Sequence, residues 1–261
     1  MVPGTLVLTT AMTVMMLTLA TNGAHAQGAS IFQATLAETN QRTQEVSTEE
    51  LRRILADRSA IVLDTRSRPE FEAGHIPGAR VLDGSASADA AAVERMVGGD
   101  KSKALVLYCN GPFCGASRRA GDQLVAAGFT NVRRYQLGIP IWRALGGPTE
   151  IERRGIVRVF KFDRTAVFID ARSPQEFAKG TLPEARNLTT ENADATIKKL
   201  AAGKLDNAPL PVDDFNRRII LFGRDAAQAR ELADLLSKRP WHNVAYFPGS
   251  FETLAAAIRG K

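Results

Sequence analysis

The 261-residue chain is 44% hydrophobic and 24% charged, which is the composition of an ordinary soluble globular protein with one or two domains. Its net charge of +6 comes from scattered Lys and Arg residues, without the clustered basic run and interleaved aromatic residues of a nucleic-acid-binding surface. The composition argues against a nucleic-acid partner and is compatible with a small anionic substrate.

The amino-terminal residues have the pattern of a secretory signal peptide. Residues 5–20 form an uncharged apolar run, and Ala24, His25 and Ala26 follow it with the small-x-small spacing of a signal-peptidase site. Five threonines make the run a poor membrane span, and the usual Lys or Arg before the run is missing. We predict a signal peptide at 1–26, no stable membrane insertion after its removal, and a periplasmic or secreted protein.

The chain has two cysteines, Cys109 and Cys114, and three histidines, of which only His75 and His242 follow the predicted signal peptide. The cysteines are too close in sequence to close a large loop, as structural disulfides usually do. Neither zinc-ligand spacing nor a Cys-His-Asp constellation can be assembled from these residues. We predict no metal site and no other cofactor.

A repeat organises the chain, because the segment at 64–80 recurs at 170–186 with a constant offset of 106 residues. Short apolar runs at 60–63 and 166–169 precede the two copies, and runs at 104–108 and 219–222 follow them, each leading into a helical pattern. Continuously apolar strands that alternate with helices indicate parallel sheets covered on both faces. The predicted fold class is α/β, with two tandem domains, each a mostly parallel sheet flanked by helices on both faces.

The repeat also sets the domain limits. We predict a flexible lead-in at 27–45, a first domain at 46–150 and a second domain at 151–261. The Gly146, Gly147 and Pro148 segment has the composition of a hinge between them.

Four motifs together are specific to one family. They are Asp-x-Arg-Ser-x-x-Glu-Phe-x-x-Gly-His-Ile-Pro-Gly-Ala at 64–79, Leu-Val-Leu-Tyr-Cys at 105–109, Gly-Phe-x-Asn-Val at 128–132, and Gly138 followed by Trp142. On these residues nearly all of the mature chain resembles the rhodanese family, whose α/β domain moves a sulfane sulfur through a cysteine persulfide. The resemblance implies a thiosulfate-sulfurtransferase type of enzyme. Its partners would be a small anionic sulfur donor, thiosulfate or a persulfide, and a thiol or cyanide acceptor.

Cys109 lies where a predicted strand ends and a helix is about to begin. Backbone N–H groups of the following loop and the positive helix start would lower the thiol pKa and favour the thiolate, the form that attacks a sulfur donor. We therefore predict that Cys109 is catalytic and that its loop position leaves it exposed. The predicted substrate-binding residues are Asn110, Gly111, Pro112, Phe113, Cys114, Gly115 and Arg118. Arg118 and Arg119 are candidates for a positive charge at the site, with a solvated surface position as the alternative.

The loop departs from the common family pattern, because Cys114 and Gly115 stand where an Arg and its successor usually lie. A Cys-x5-Arg phosphatase or arsenate reductase is disfavoured, since Gly115 occupies the position of the required Arg. Cys114 has two interpretations. It is a resolving thiol that forms a disulfide with Cys109, or it is a loop residue without a redox role. We favour the second slightly, because pairing would block the nucleophile.

The second copy has Gly223 where the first has Cys109, so no sulfur can be carried there. Asp225 is predicted to cap the following helix and to occupy its anion-binding donors. Asp64, Arg66 and Glu70 recur as Asp170, Arg172 and Glu176 in this inactive copy, which indicates a structural role for them, as for His75. Two rival functions stay open: a thiol-disulfide or redox-sensing protein that uses Cys109 and Cys114, and a non-catalytic binding module.

Overall fold

The computed structural model describes Met1 and residues 41–82, 90–204 and 208–260, so the predicted signal peptide at 1–26 lies outside the described residues. Within these ranges strands and helices alternate along the chain. The strands are β1 (Gln44–Glu45), β2 (Ile61–Asp64), β3 (Arg80–Val81), β4 (Leu105–Tyr108), β5 (Val132–Tyr135), β6 (Thr149–Glu150), β7 (Val167–Asp170), β8 (Arg186–Asn187), β9 (Ile219–Gly223) and β10 (Val244–Ser250). The helices are α1 (Thr48–Asp57), α2 (Arg68–Ala73), α3 (Ala90–Met96), α4 (Ala116–Ala126), α5 (Gly138–Ala144), α6 (Arg153–Phe162), α7 (Pro174–Lys179), α8 (Thr190–Ala201), α9 (Ala226–Ser237) and α10 (Phe251–Ile258).

The strands form two five-stranded sheets with the same topology. The first sheet has the order β1-β5-β4-β2-β3, and the second has the order β6-β10-β9-β7-β8. The strand pairs within both sheets are parallel. The predicted fold class, two tandem α/β domains with parallel sheets, is confirmed.

Both faces of the first sheet are buried, as its continuously apolar strands predicted. Val62, Val106 and Tyr108 contribute to a core on one face, with Leu51 of α1, Phe71 of α2 and Trp142 of α5. Leu63, Leu105 and Leu107 point to the opposite face, where the core includes Val93 of α3 and Leu124 of α4. The second sheet is covered on two faces in the same way.

The predicted lead-in ends earlier than residue 45. Gln44 and Glu45 form β1, an edge strand that pairs with Arg133 and Arg134 of β5. The side chain of Arg134 is 1% exposed, and its Nη2 lies 2.7 Å from Glu45 Oε1, so an ion pair holds the strand in place. The prediction of a flexible segment is therefore wrong for these two residues.

The junction between the domains is closely packed. Thr149 and Glu150 belong to the second sheet, and the Trp142 indole N–H donates to the Pro148 carbonyl at 2.9 Å. The backbones of His75 and Glu150 exchange two hydrogen bonds of 3.0 and 2.8 Å across the junction.

Helices α2 and α6 also pack together across this junction. The carboxylate of Glu72 is buried in α2 and accepts a 3.0 Å hydrogen bond from Arg158 of α6.

In the described part of the chain, no helix is long and apolar enough to span a membrane.

Candidate active site

Cys109 is the first residue after β4, at the carboxyl edge of the first sheet. The loop that follows it runs to Gly115, and α4 begins at Ala116. This is the strand-to-helix position that the sequence predicted. The neighbouring strand β2 ends at the same edge, with Asp64 paired to Tyr108.

A buried polar cluster holds the end of β4 in place. The carboxylate of Asp64 is 0% exposed and accepts hydrogen bonds from the Tyr108 hydroxyl at 2.7 Å and from Arg66 Nη2 at 2.5 Å. Arg66 Nη2 also donates to the Gly74 carbonyl at 2.8 Å, and the Tyr108 hydroxyl accepts from the Ile76 N–H at 3.1 Å. The cluster fixes the residue that immediately precedes Cys109, so Asp64 and Arg66 have the structural role that was predicted.

The contacts within this cluster shift the pKa values of Tyr108 and Arg66. Burial raises the pKa of the Tyr108 phenol well above its ordinary value, and the adjacent Asp64 charge raises it further, so the phenol stays neutral and donates. Burial acts to lower the pKa of Arg66, but its hydrogen bond and charge interaction with Asp64 outweigh burial and leave the pKa raised. The Arg66 guanidinium and the Tyr108 hydroxyl therefore both act as hydrogen-bond donors to the Asp64 carboxylate.

The start of the loop is fixed against α5. The Cys109 carbonyl accepts a 3.2 Å hydrogen bond from the Ile139 N–H. Gly138 has φ of 61°, and a Cβ at this position would lie 2.3 Å from the Cys109 carbonyl oxygen and 2.5 Å from the Gly111 nitrogen. Only glycine fits this close approach in this conformation. Gly138 was recognised as part of a family motif, but sequence analysis did not predict its contact with the cysteine loop.

The two cysteines form a disulfide, with their Cα atoms 6.2 Å apart. This distance lies within the range that disulfides span. The slight preference for Cys114 as a loop residue without a redox role is therefore wrong for this structure. Cys109 is 2% exposed, so its predicted exposure is also wrong in the disulfide form. A turn in which the Cys114 N–H donates to the Gly111 carbonyl at 3.0 Å brings the second sulfur back to the first.

The remaining loop residues differ in exposure. Asn110 and Phe113 are exposed, Phe113 to 83%, whereas Gly111 is buried and Pro112, Cys114 and Gly115 are half-buried. Helix α4 begins at Ala116, and its N-cap residue Gly115 provides no capping side chain, so the first N–H groups of the helix are not occupied by one. The positive end of the α4 helix dipole faces the cysteine loop.

Two arginines lie in the first turn of α4. Arg118 is half-buried, and Arg119 is exposed but folds back over the helix start. A Cβ on Gly115 would lie 2.6 Å from Arg119 Nη1. The structure thus places the Arg119 guanidinium next to Gly115, at the end of the cysteine loop.

Glu70 contacts the loop directly, which sequence analysis did not predict. Its carboxylate accepts hydrogen bonds from the Ser67 hydroxyl and N–H, as in a capping box, and a 2.6 Å hydrogen bond from the Asn110 side-chain amide. The Ser67 hydrogen bond, the Asn110 hydrogen bond and the Arg66 charge lower the pKa of Glu70, although partial burial opposes them. Among the described residues, the side chain of the equivalent Glu176 accepts hydrogen bonds only from Ser173, in the local capping box. The two glutamates occupy matching positions of the sequence repeat, so their sequence gives no signal for this difference.

The second domain has the same framework without the nucleophile. Arg172 and Asp170 form the equivalent ion pair at 2.7 Å, and the Thr181 hydroxyl donates to Asp170 where Tyr108 donates in the first domain. Gly223 ends β9 at the position of Cys109. Asp225 caps α9 by accepting from the Gln228 N–H at 2.9 Å, so its predicted role as N-cap is confirmed.

His75 packs against the helix that precedes it. Its ring stacks on Phe71 with centroids 3.7 Å apart, and Nδ1 lies 2.9 Å from the Phe71 carbonyl oxygen. These contacts agree with the predicted structural role. Among the described residues, no three His, Cys, Asp or Glu side chains are grouped as metal ligands.

Comparison with known proteins identifies both domains. The model of the family described as "Rhodanese-like domain" matches residues 47–145 and 160–257. Thiosulfate sulfurtransferase GlpE of Pseudomonas putida (strain GB-1) is 36% identical over 85 residues, which cover 33% of this chain and 71% of GlpE.

Solved structures include similar chains. A thiosulfate sulfurtransferase from Pseudomonas aeruginosa aligns with 84% of this chain at 20% identity and a TM-score of 0.39, and the alignment spans 45% of that protein. The BH2092 protein of Bacillus halodurans aligns with 42% of this chain and 77% of its own at 25% identity and a TM-score of 0.38. Because the family model matches twice and covers most of the chain, the protein belongs to the rhodanese-like family and contains two rhodanese-like domains in tandem.

Proposed function

We propose that the chain is a sulfurtransferase that carries a sulfane sulfur on Cys109. The observation that supports this best is the position of Cys109 between a buried parallel strand and an uncapped helix start, in a rhodanese-like domain. A relative, GlpE of Pseudomonas putida, is named a thiosulfate sulfurtransferase. A helix start that holds no capping carboxylate favours an anionic sulfur, both as the thiolate and as the persulfide.

The reaction has two displacement steps. The Cys109 thiolate forms a bond to the outer sulfur of thiosulfate, and the bond to the inner sulfur breaks so that sulfite leaves with the electron pair. A thiol or cyanide acceptor then attacks the outer sulfur of the persulfide and releases the thiolate. A small persulfide is the alternative donor. Its outer sulfur is transferred to Cys109, and the rest of the molecule leaves as a thiolate.

The disulfide form has no thiolate at Cys109, so the protein must be reduced before it reacts. The experiment that tests the proposal uses protein reduced with dithiothreitol, desalted, and supplied with thiosulfate and cyanide. We expect thiocyanate from the wild type and none from Cys109→Ser, with unchanged circular dichroism. Full activity in Cys109→Ser would refute the assignment.

A second function is favoured by one observation, the disulfide between Cys109 and Cys114. A thiol-disulfide protein would exchange this bond with partner thiols and would not need a sulfur donor. Reduced wild-type protein that forms neither thiocyanate nor a persulfide, but reoxidises to the disulfide with a partner disulfide, would establish this function in place of sulfur transfer. Protein that does neither would be a binding module.

We also propose that the protein is exported, on the basis of the pattern at residues 1–26. An oxidising compartment would favour the disulfide form. Cell fractionation and amino-terminal sequencing of the mature protein test this, and recovery of an intact amino terminus in the cytoplasm would refute it.

A further inference from the structure

The disulfide shows that the Cys114 sulfur reaches the Cys109 sulfur itself. The bond is formed with the strand end, the loop turn and the helix start all in place, and the Cα atoms are 6.2 Å apart. When Cys109 carries a persulfide, this same atom is the inner sulfur. Cys114 is therefore positioned to attack the inner sulfur, whereas an external acceptor takes the outer one.

The two cysteines are held very differently. Cys109 is 2% exposed, and its carbonyl is hydrogen-bonded to Ile139 and closely covered by Gly138. Cys114 is half-buried and lies at the end of a turn, just before α4 begins. An incoming thiol can therefore approach the Cys114 side of the disulfide, while the Cys109 side is closed by the protein.

We infer that Cys114 is a resolving thiol that releases the sulfur of the Cys109 persulfide as sulfide, and that the resulting disulfide is reset by a dithiol. This inference rests on the proposed sulfur transfer to Cys109. In the resolving step, the Cys114 thiolate forms a bond to the inner sulfur of the Cys109 persulfide. The bond between the inner and outer sulfurs breaks, and hydrosulfide leaves with the electron pair. The two cysteines are thereby oxidised to the disulfide, and the sulfane sulfur is reduced to sulfide.

The reset step consumes the dithiol. One thiolate of the dithiol attacks Cys114 and forms a mixed disulfide, and Cys109 leaves as a thiolate beside the positive start of α4. The second thiol of the dithiol then attacks the first sulfur of the dithiol, which is bonded to Cys114 in the mixed disulfide. A cyclic disulfide forms, and Cys114 is released as a thiolate. In the full cycle, thiosulfate and a dithiol give sulfite, hydrogen sulfide and a cyclic disulfide, so atoms and electrons balance.

The reductant class follows from the second half of the reset. A dithiol releases Cys114 in an intramolecular step, with an effective concentration in the millimolar range or above, whereas a monothiol needs a second collision. The physiological reductant would be a small dithiol or a protein with two adjacent cysteines. Phe113 is 83% exposed beside Cys114 and provides an apolar contact for such a protein.

The test is a single turnover without any added acceptor. Reduced, desalted protein receives one equivalent of thiosulfate, and sulfite, sulfide and intact protein mass are measured together. The variants are Cys114→Ser and Cys114→Ala, each with circular dichroism as a check of folding. A second measurement treats disulfide-form protein with N-acetylcysteine, alkylates free thiols, and maps the mixed disulfide by peptide mass.

We expect wild-type protein to release equal amounts of sulfite and sulfide and to lose two hydrogen atoms in mass. Both Cys114 variants should release sulfite, retain one additional sulfur atom and release no sulfide. The adduct should map to Cys114. Sulfite without sulfide from all three proteins would overturn this inference and leave sulfur transfer standing, and an adduct on Cys109 would overturn the reset step. No sulfite from any of the three would refute the proposed sulfur transfer itself.

Discussion

Gly155 of α6 lies directly against the backbone of Glu72 in α2. A Cβ on Gly155 would be 1.9 Å from the Glu72 carbonyl oxygen, far closer than a carbon and an oxygen can approach. The same oxygen accepts a 2.9 Å hydrogen bond from the Glu152 N–H, which precedes α6. The absence of a side chain at residue 155 is therefore what lets the second domain pack on the helix that follows β2 in the first domain.

Gly155→Ala should lower the free energy of unfolding by about 2 to 3 kcal/mol, because the new methyl group must push α6 away from the α2 backbone. An alanine in an unobstructed helix would instead stabilise by roughly 1 kcal/mol, so the sign of the effect tests the packing. Denaturant unfolding of Gly155→Ala against Arg153→Ala, an exposed change in the same helix, measures it. Equal stability of the two variants would show that the domains do not pack as described.

The junction also contains a titratable contact between the domains. The carboxylate of Glu150 accepts a 3.0 Å hydrogen bond from the Tyr246 hydroxyl, and Oε1 lies 3.7 Å from His75 Nε2. Burial raises the pKa of Glu150, but the interactions with His75 and Tyr246 and the charge of Arg230 outweigh it and hold the pKa below its ordinary value of 4.5. The ionised form is therefore more stable in the folded protein than in the unfolded chain.

A lowered carboxyl pKa contributes stability above the unfolded value, and this contribution is lost as the pH falls through the folded value. We expect Glu150→Gln to cost about 1 to 2 kcal/mol of unfolding free energy at pH 6. Below pH 4.5 the difference in unfolding free energy between the wild type and Glu150→Gln should shrink. Unfolding curves at a series of pH values from neutral to acidic provide the measurement. A difference that stays constant or grows towards acid would contradict the sign of this pKa shift.

The sequence predicted the framework and missed the contacts between distant segments. The repeat at 64–80 and 170–186 and the apolar runs around it predicted both sheets and the structural role of Asp64 and Arg66, because these follow from local patterns and short-range spacing. The position of Asp225 at the start of a predicted helix likewise predicted its cap. Strand β1 was missed because its two residues, Gln44 and Glu45, have no apolar pattern and are held at the edge by the distant Arg134. The Tyr108 hydrogen bond to Asp64 links residues 44 apart in sequence, so no local pattern reports it.

Gly138→Ala should impair sulfur transfer as well as lower stability. The new methyl group would meet the Cys109 carbonyl oxygen at 2.3 Å and must displace the loop that holds the nucleophile. Gly98→Ala is the matched control, because Gly98 also has a left-handed conformation, with φ of 67° against 61°, but has no atom within 4 Å of the new Cβ. Both variants carry the strain of about 1 kcal/mol that alanine has at positive φ, so only the contact differs.

The measurements for this pair are thiocyanate formation by reduced protein and the free energy of unfolding. We expect Gly138→Ala to lose at least about tenfold in rate, a loss equivalent to 1.4 kcal/mol in the activation free energy, and Gly98→Ala to retain wild-type activity. Equal activity of the two variants would show that the contact of α5 with Cys109 does not position the nucleophile.

Gly223→Cys should not create a second active site, because the donors around residue 223 are already occupied. The Gln228 side-chain oxygen accepts from the Arg224 N–H at 2.9 Å, and the Asp225 carboxylate accepts from the Gln228 N–H and places a negative charge at the start of α9. A Cβ on Gly223 would also lie 2.8 Å from Gln228 Oε1, so the new thiol would face an oxygen acceptor and a carboxylate, both of which disfavour a thiolate.

In a background with Cys109→Ser and Cys114→Ser, where residue 223 is the only thiol, we expect thiosulfate to leave the mass of the Gly223→Cys variant unchanged. Addition of Asp225→Ser keeps a neutral cap and removes the charge, so the mass should then increase by one sulfur atom. If Gly223→Cys without the Asp225 change gained a persulfide as readily as Cys109 does in the wild type, the capped helix start would not be what silences the second domain.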